Sequence, residues 1–319
     1  MNETLSVPPQ NFLKENYALF PLSGISNKKT IMCNESGYYN DYVSDRFGFN
    51  NNDKIYDTKN INSVFIGDSF LHGACVNNKS NLISNLRFSS FFKGKNILNL
   101  GYGGNGPLLN LATLKEYFPN NKNVEYVFWL YYEGNDLEEL NSEYSNKILK
   151  KYLYDAKFFQ NLKSKQNEID DYVATLLNKN RKIDGEKNFL IIPNLVSILR
   201  LDRVRSLIYS KFFTLHKYKK NIEIIKIFED IVIEIKNLNN NYKTQLIFIY
   251  LPSKFQNEGK EYYNDILNII EKNNIKYLDL HGDDFIDDKN MYPKYGAHFN
   301  ENGYKALSEK ISLFMKENH

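Results

Sequence analysis

The sequence predicts an α/β protein, a three-layer α/β/α sandwich on a mainly parallel five-stranded sheet, and two patterns carry that expectation. Five short apolar runs, at residues 64–66, 97–100, 124–131, 245–251 and 275–280, read as strands buried on both faces. Helical spacing fills the gaps, as in Ile224, Ile225, Phe228, Ile231, Val232 and Ile235, and again in Tyr304, Leu307, Ile311, Phe314 and Met315. Strands that alternate with helices need a helix layer on each sheet face, hence three layers.

Residues 1–60 precede the first strand and hold few periodic segments; they read as an N-terminal extension of ordered loops packed on the core. The first strand runs into Gly67-Asp68-Ser69-Phe70 and then a helical stretch, so Ser69 stands at a strand-to-helix turn. A serine placed there holds its hydroxyl out at the carboxyl end of a strand. Its own N–H is free for an oxyanion, and a helix start behind it favours negative charge. The second strand leads into Asn99-Leu100-Gly101-Tyr102-Gly103-Gly104-Asn105-Gly106-Pro107, where glycines let backbone N–H groups approach a ligand. The third ends in Tyr131-Tyr132-Glu133-Gly134-Asn135-Asp136, which puts an amide side chain at another strand end.

Residues of about 140–240 separate the third and fourth strands and read as a helical insertion with a polar break at 179–186. After the fifth strand, Gly296-Ala297-His298-Phe299-Asn300 precedes the last helix, with Asn300 as its cap. A histidine there can face Ser69. Of the other four, His281 is the serious rival as a base, His72 reads as a pocket wall near substrate, His216 lies in the insertion and His319 is terminal.

The 319 residues suffice for a sizeable core, and 41 Lys plus Arg against 38 Asp plus Glu is too even a balance for nucleic acid as the main partner. Residues 1–10 carry neither a charged n-region nor an apolar h-region, so a cytoplasmic setting is the default, with the periplasm or secretion as the alternative. The apolar stretch 189–213 is broken by Pro193, Arg200, Asp202, Arg203 and Arg205, which is unlike a spanning helix, and membrane contact is not expected. Cys33 and Cys75 form either one disulfide or two ordinary thiols.

In that order Ser69, a glycine, Asn135 and His298 resemble the four blocks of the SGNH hydrolase superfamily, also called the GDSL esterase/lipase family, over roughly residues 61–136 and 244–319. The resemblance implies a flavodoxin-like SGNH fold for residues 61–319. It implies that Ser69 is the nucleophile, His298 the general base, and the Ser69 N–H, Gly104 and the Asn135 side chain the oxyanion hole. Gly104 is preferred to Gly103 because Asn99, Gly101 and Gly104 fit the family's Asn-x-Gly-x-x-Gly-like context. The expected activity is that of a serine esterase or O-acyltransferase working through a Ser69 acyl-enzyme, by family analogy on acetyl groups of a carbohydrate, without metal or cofactor. The partner is then an ester-bearing small molecule or a glycan, and His72 and Glu133 are candidate substrate contacts.

One position departs from the pattern. Most members carry an aspartate three residues before the histidine, and here that position is Tyr295. The sequence leaves three readings open: a Ser-His dyad, a substitute acid among Asp283, Asp284, Asp287 and Asp288, or an inactive member that binds carbohydrate without turnover. A phosphate binder using Gly101–Gly106 ranks last, because the spacing matches neither a Walker A loop nor a Rossmann fingerprint.

Overall fold

In the computed structural model, residues 3–13, 15, 18–188, 221–254 and 259–318 are described. The apolar, basic stretch 189–213, His216 and His319 lie outside them.

The extension is not loops alone. It forms a small sheet of β1 (Glu3–Leu5), β2 (Lys29–Ile31) and β3 (Asp41–Val43), with β1 parallel and β2 antiparallel to their neighbours β2 and β3. Three-residue strands are too short to show an alternation, which is why the sequence hides them. Val7, Phe12, Leu19, Phe20, Leu22, Phe49 and Ile55 of this region join the main hydrophobic core.

The central sheet contains β4 (Ser63–Gly67), β5 (Ile97–Asn99), β6 (Tyr126–Tyr132), β7 (Gln245–Leu251) and β8 (Lys276–Asp279). Its order is β5-β4-β6-β7-β8 and every pairing is parallel, as the doubly apolar runs require. Alternate residues of one strand enter different cores. Val64, Ile66, Trp129 and Phe248 face one helix layer, while Phe65, Phe128, Leu130 and Ile247 face the other.

Helices follow in chain order: α1 (Ser69–His72), α2 (Leu82–Phe88), α3 (Pro107–Tyr117), α4 (Asp136–Glu143), α5 (Lys147–Tyr154), α6 (Gln166–Asn188), α7 (Ile222–Tyr242), α8 (Tyr263–Lys272), α9 (Asp284–Asp287) and α10 (Glu301–Glu317). Helices α2 and α10 cover one face; α3, α7 and α8 cover the other.

The polar stretch 179–186 does not break a helix, because α6 runs through it. It holds no proline, and a single glycine costs about 1 kcal/mol in a helix interior. Within the region read as an insertion, α7 lies on the sheet through Ile224, Phe228, Ile231 and Ile235, with the Phe228 ring 5.7 Å from Trp129. A half-buried Lys115–Glu234 ion pair of 2.7 Å ties it to α3. No helix of the described residues is long and apolar enough to cross a membrane. Cys33 and Cys75 form a disulfide with Cα atoms 5.2 Å apart, joining the extension to the segment after α1.

Candidate active site

The site begins where β4 runs out. Asp68 caps α1, its carboxylate accepting the Phe70 N–H at 2.9 Å, and Ser69 is the first helical residue. Its N–H therefore lacks an intrahelical acceptor. The helix is one turn long and ends at Gly73 with φ +84°, so its field is that of a few N–H groups.

His298 is fixed from the other side of the sheet's rim. Asn300 caps α10 by accepting the N–H groups of Asn302 and Gly303, while its amide nitrogen donates to the Asn290 and Tyr292 carbonyls. This holds the loop before α10, and His298 Nε2 stands 2.8 Å from Ser69 Oγ.

The third member of this line is Glu35, from the N-terminal extension. Its Oε1 lies 2.8 Å from His298 Nδ1, and its Oε2 accepts the His298 backbone N–H at 3.1 Å. With Nδ1–H donating to the carboxylate, Nε2 keeps its lone pair toward the serine hydroxyl. Burial pushes the Glu35 carboxyl up, but the hydrogen bond and charge of His298 and the N–H groups of His298 and Ala297 outweigh it and hold the group below its usual range.

The sequence reading missed Glu35. Neither a bare dyad nor an acid from the 283–288 segment describes the geometry. Asp283 pairs with Lys310, Asp288 caps a short turn, Asp284 and Asp287 belong to α9, and Tyr295 is 47% exposed. One signal pointed toward Glu35: it sits two residues after Cys33, and the Cys33–Cys75 bond closes that loop onto the residues behind Ser69. Gly296 completes the fit. Its φ is +128°, and a Cβ there would lie 2.0 Å from Glu35 Oε2.

Glu35, Cys75 and His298 also cluster closely enough to resemble a metal site. The donor chemistry does not fit one, since the Cys75 sulfur is in the disulfide and the Glu35–His298 Nδ1 bond uses the other two groups.

The glycine loop approaches Ser69 from β5. Asn99 shapes it by accepting the Gly101 N–H at 2.9 Å and donating to the Leu71 carbonyl at 3.0 Å. A Cβ on Gly103 would lie 3.8 Å from the Ser69 Cβ, but the Gly103 N–H donates to His72 Nδ1 at 3.2 Å. Gly104, at φ +79°, rests on Pro8 and Gln10, and the Gln10 amide donates to its carbonyl at 2.9 Å. Asn135 begins α4, where its Nδ2 donates to Glu139 Oε1 at 2.9 Å. Among the described residues no hydrogen bond joins Gly104 or Asn135 to Ser69.

Two expected substrate contacts are placed elsewhere. His72 is buried, stacked on Tyr102 with ring centroids 4.4 Å apart, and its Nε2 meets Tyr42 Oη at 2.9 Å. Burial, then the nearby His298 charge, push its pKa down to about 3. A neutral His72 accepting from Gly103 at Nδ1 must carry its proton on Nε2, so it braces the loop and has no free edge for a ligand. Glu133 is likewise sealed, accepting from Tyr250 Oη at 3.0 Å and the Ser253 N–H at 2.8 Å, with His281 Nε2 at 3.2 Å.

The architecture is a parallel α/β/α sandwich, with Ser69 at the start of α1, Gly104 in the loop after β5, Asn135 at the start of α4 and His298 in the loop before α10. No protein-family model matches the sequence, and no curated protein sequence does. Solved structures of similar shape include a protein from Desulfitobacterium hafniense DCB-2 whose assignment as a G-D-S-L-family lipolytic protein is provisional. It has 13% identity and a TM-score of 0.44, covering 80% of this chain and 99% of that one. Esterase EstA from Pseudoalteromonas sp. matches at 11% identity and a TM-score of 0.41 over 81% and 100% of the two chains. An acetyl xylan esterase, AlAXEase, matches at 13% and 0.42 over 79% and 98%. Likenesses this distant assign no residue a role in this chain.

Proposed function

We propose that the protein is a serine esterase in which Ser69, His298 and Glu35 form the catalytic triad. The observation that carries this reading is the unbroken line from Ser69 Oγ through both ring nitrogens of His298 to a carboxylate, with 2.8 Å at each junction. Ser69 Oγ attacks the ester carbonyl and its proton passes to His298 Nε2, while Glu35 stabilises the imidazolium that forms. The oxyanion is received by the N–H groups of Ser69 and Gly104 and the Asn135 side chain. Gly104 is favoured over Gly103 because the latter's N–H already donates to His72. Collapse of the adduct expels the alcohol, which takes the proton from His298 and leaves an acyl-Ser69. Water then hydrolyses it, or a sugar hydroxyl accepts the acyl group in an O-acyltransferase.

For the substrate we infer an O-acetylated carbohydrate. The Glu35 loop carries Tyr38 and Tyr39, 48% and 69% exposed, and the exposed Tyr295 directly precedes Gly296, which abuts the Glu35 carboxylate. Exposed aromatic faces at a polar site suit sugar rings. The reason for reading the chain as a non-catalytic glycan binder was the missing acid, and Glu35 takes that reason away.

The test is labelling with a fluorophosphonate and turnover of p-nitrophenyl acetate and an acetylated xylooligosaccharide. The expected result is an adduct on Ser69 and a Ser69→Ala variant whose kcat falls on the order of 10⁶-fold. Full activity in Ser69→Ala would overturn the assignment.

A further inference from the structure

Three polar residues four apart, Asn135 at the cap of α4 and Glu139 and Glu143 within it, share one helix face, which carries the proposed oxyanion donor Asn135 and contacts the end of the glycine loop. Glu143 Oε2 caps the start of α3 by accepting the Leu108 and Leu109 N–H groups, while its Oε1 accepts the Gly106 N–H and Gln10 Nε2. Gln10 in turn holds the Gly104 carbonyl. Glu139 lies between these groups and Asn135: a Cβ on Gly106 would be 3.0 Å from the Glu139 Cβ, and Glu139 Oε1 accepts from Asn135 Nδ2. Two neighbouring acceptors, Asn135 Oδ1 and Glu139 Oε2, are sealed from solvent without a partner.

A carboxylate in that place would be costly twice over. One of its oxygens would be sealed from solvent and unpaired, and it would set a negative charge beside the oxyanion that Asn135 receives. An uncharged carboxyl lessens the first cost, because a neutral polar group is far cheaper to bury than a charge, removes the second, and still accepts from the amide. Building on the esterase reading, we propose that Glu139 is a positioning residue that acts as a neutral carboxyl, holding the Asn135 amide in the orientation in which it donates to the oxyanion.

The surroundings keep it neutral. Burial first, then Asp68 from the β4–α1 turn and Glu143 and Glu138 on α4, push the Glu139 carboxyl well above its usual range, against the opposing Asn135 hydrogen bond. The other acids nearby are raised too, Asp136 well above its usual range, Glu143 to about 8 and Asp68 to about 6, each chiefly by burial.

The inference is tested by kcat and KM against pH for Glu139→Ala, Glu139→Gln, Asn135→Ala and the Asn135→Ala/Glu139→Ala double variant. Removal of an oxyanion donor costs about 10²–10³ in kcat, so Asn135→Ala is expected in that range and Glu139→Ala at about 10-fold, with KM little changed. In the Asn135→Ala background the second substitution adds little, because the two act as one unit. Glu139→Gln, which keeps an acceptor without a charge, retains near-parent kcat at neutral pH and flattens the parent's fall at alkaline pH. Parent-like kcat in Glu139→Ala, or full additivity with Asn135→Ala, overturns the proposal. If Glu139→Ala does not fold, an alkaline fall left unchanged in Glu139→Gln overturns it. Retained activity in Ser69→Ala would instead refute the underlying esterase reading.

Discussion

His298 and His281 stand at neighbouring rims of the sheet, and each leans on a carboxylate, but their second partners differ. His298 has Glu35 on Nδ1 and a hydroxyl, Ser69 Oγ, on Nε2. His281 has Asp279 at 3.3 Å on Nδ1 and the buried Glu133 at 3.2 Å on Nε2, with the Tyr263 ring 4.2 Å away. Burial disfavours its charged form, yet the hydrogen bonds it donates to both carboxylates, with their charges, overcome this and raise its pKa to about 9. A ring flanked by two anions is held as a cation and works as a brace between β6 and β8. A ring with one anion and one hydroxyl has a nitrogen free to take a proton and return it. In the proposed mechanism one carboxylate prepares His298 as a base, whereas the second carboxylate at His281 occupies the nitrogen a base would need.

The sharpest way to break this contrast is to delete each ring. His298→Ala is expected to lower kcat on the order of 10⁶-fold, as loss of a triad histidine does. His281→Gln leaves kcat at neutral pH near the parent's. Comparable losses in both would sink the distinction. Next in size is Glu35→Gln, which keeps the shape but removes the charge and the tautomer control, with kcat expected to fall on the order of 10⁴-fold. Asp283→Asn serves as its control, and a larger effect there would return the acid to the 283–288 segment.

Gly296→Ala sharpens the geometry instead. Its methyl would displace the Glu35 carboxylate, and a shift of about 1 Å can cost roughly 10²-fold, so kcat should drop without loss of the fold. The smallest effect is on stability. A histidine whose pKa rises from 6.5 unfolded to about 9 folded contributes stability fully present below about pH 6.5 and lost as pH climbs through 9. The parent's Tm should therefore fall more steeply than that of His281→Gln between those values, and parallel melting curves would contradict the brace.

The central sheet was legible because strands buried on both faces leave uninterrupted apolar runs. Ser69 and His298 were legible because each sits in a short motif at a strand or helix end. Glu35 was not. It comes from a loop without period, 34 residues before the serine in a region read only as packing, and its arrival depends on a tertiary closure that no local spacing encodes. Glu133 misled for the opposite reason: beside Asn135 it reads as a site residue, but the turn after β6 directs it inward. The small sheet of the extension fell below the length at which alternation speaks.

In the proposed triad the acid rides on the extension, which would make turnover a readout of docking. Local opening of residues 33–40 would disarm His298 while the five-stranded core stayed intact, so activity should be lost to denaturant before the global unfolding signal changes. A boundary drawn at residue 61, where the recognisable motifs begin, would remove the acid together with seven side chains of the main core, so loss of activity there would not separate the two roles of the extension.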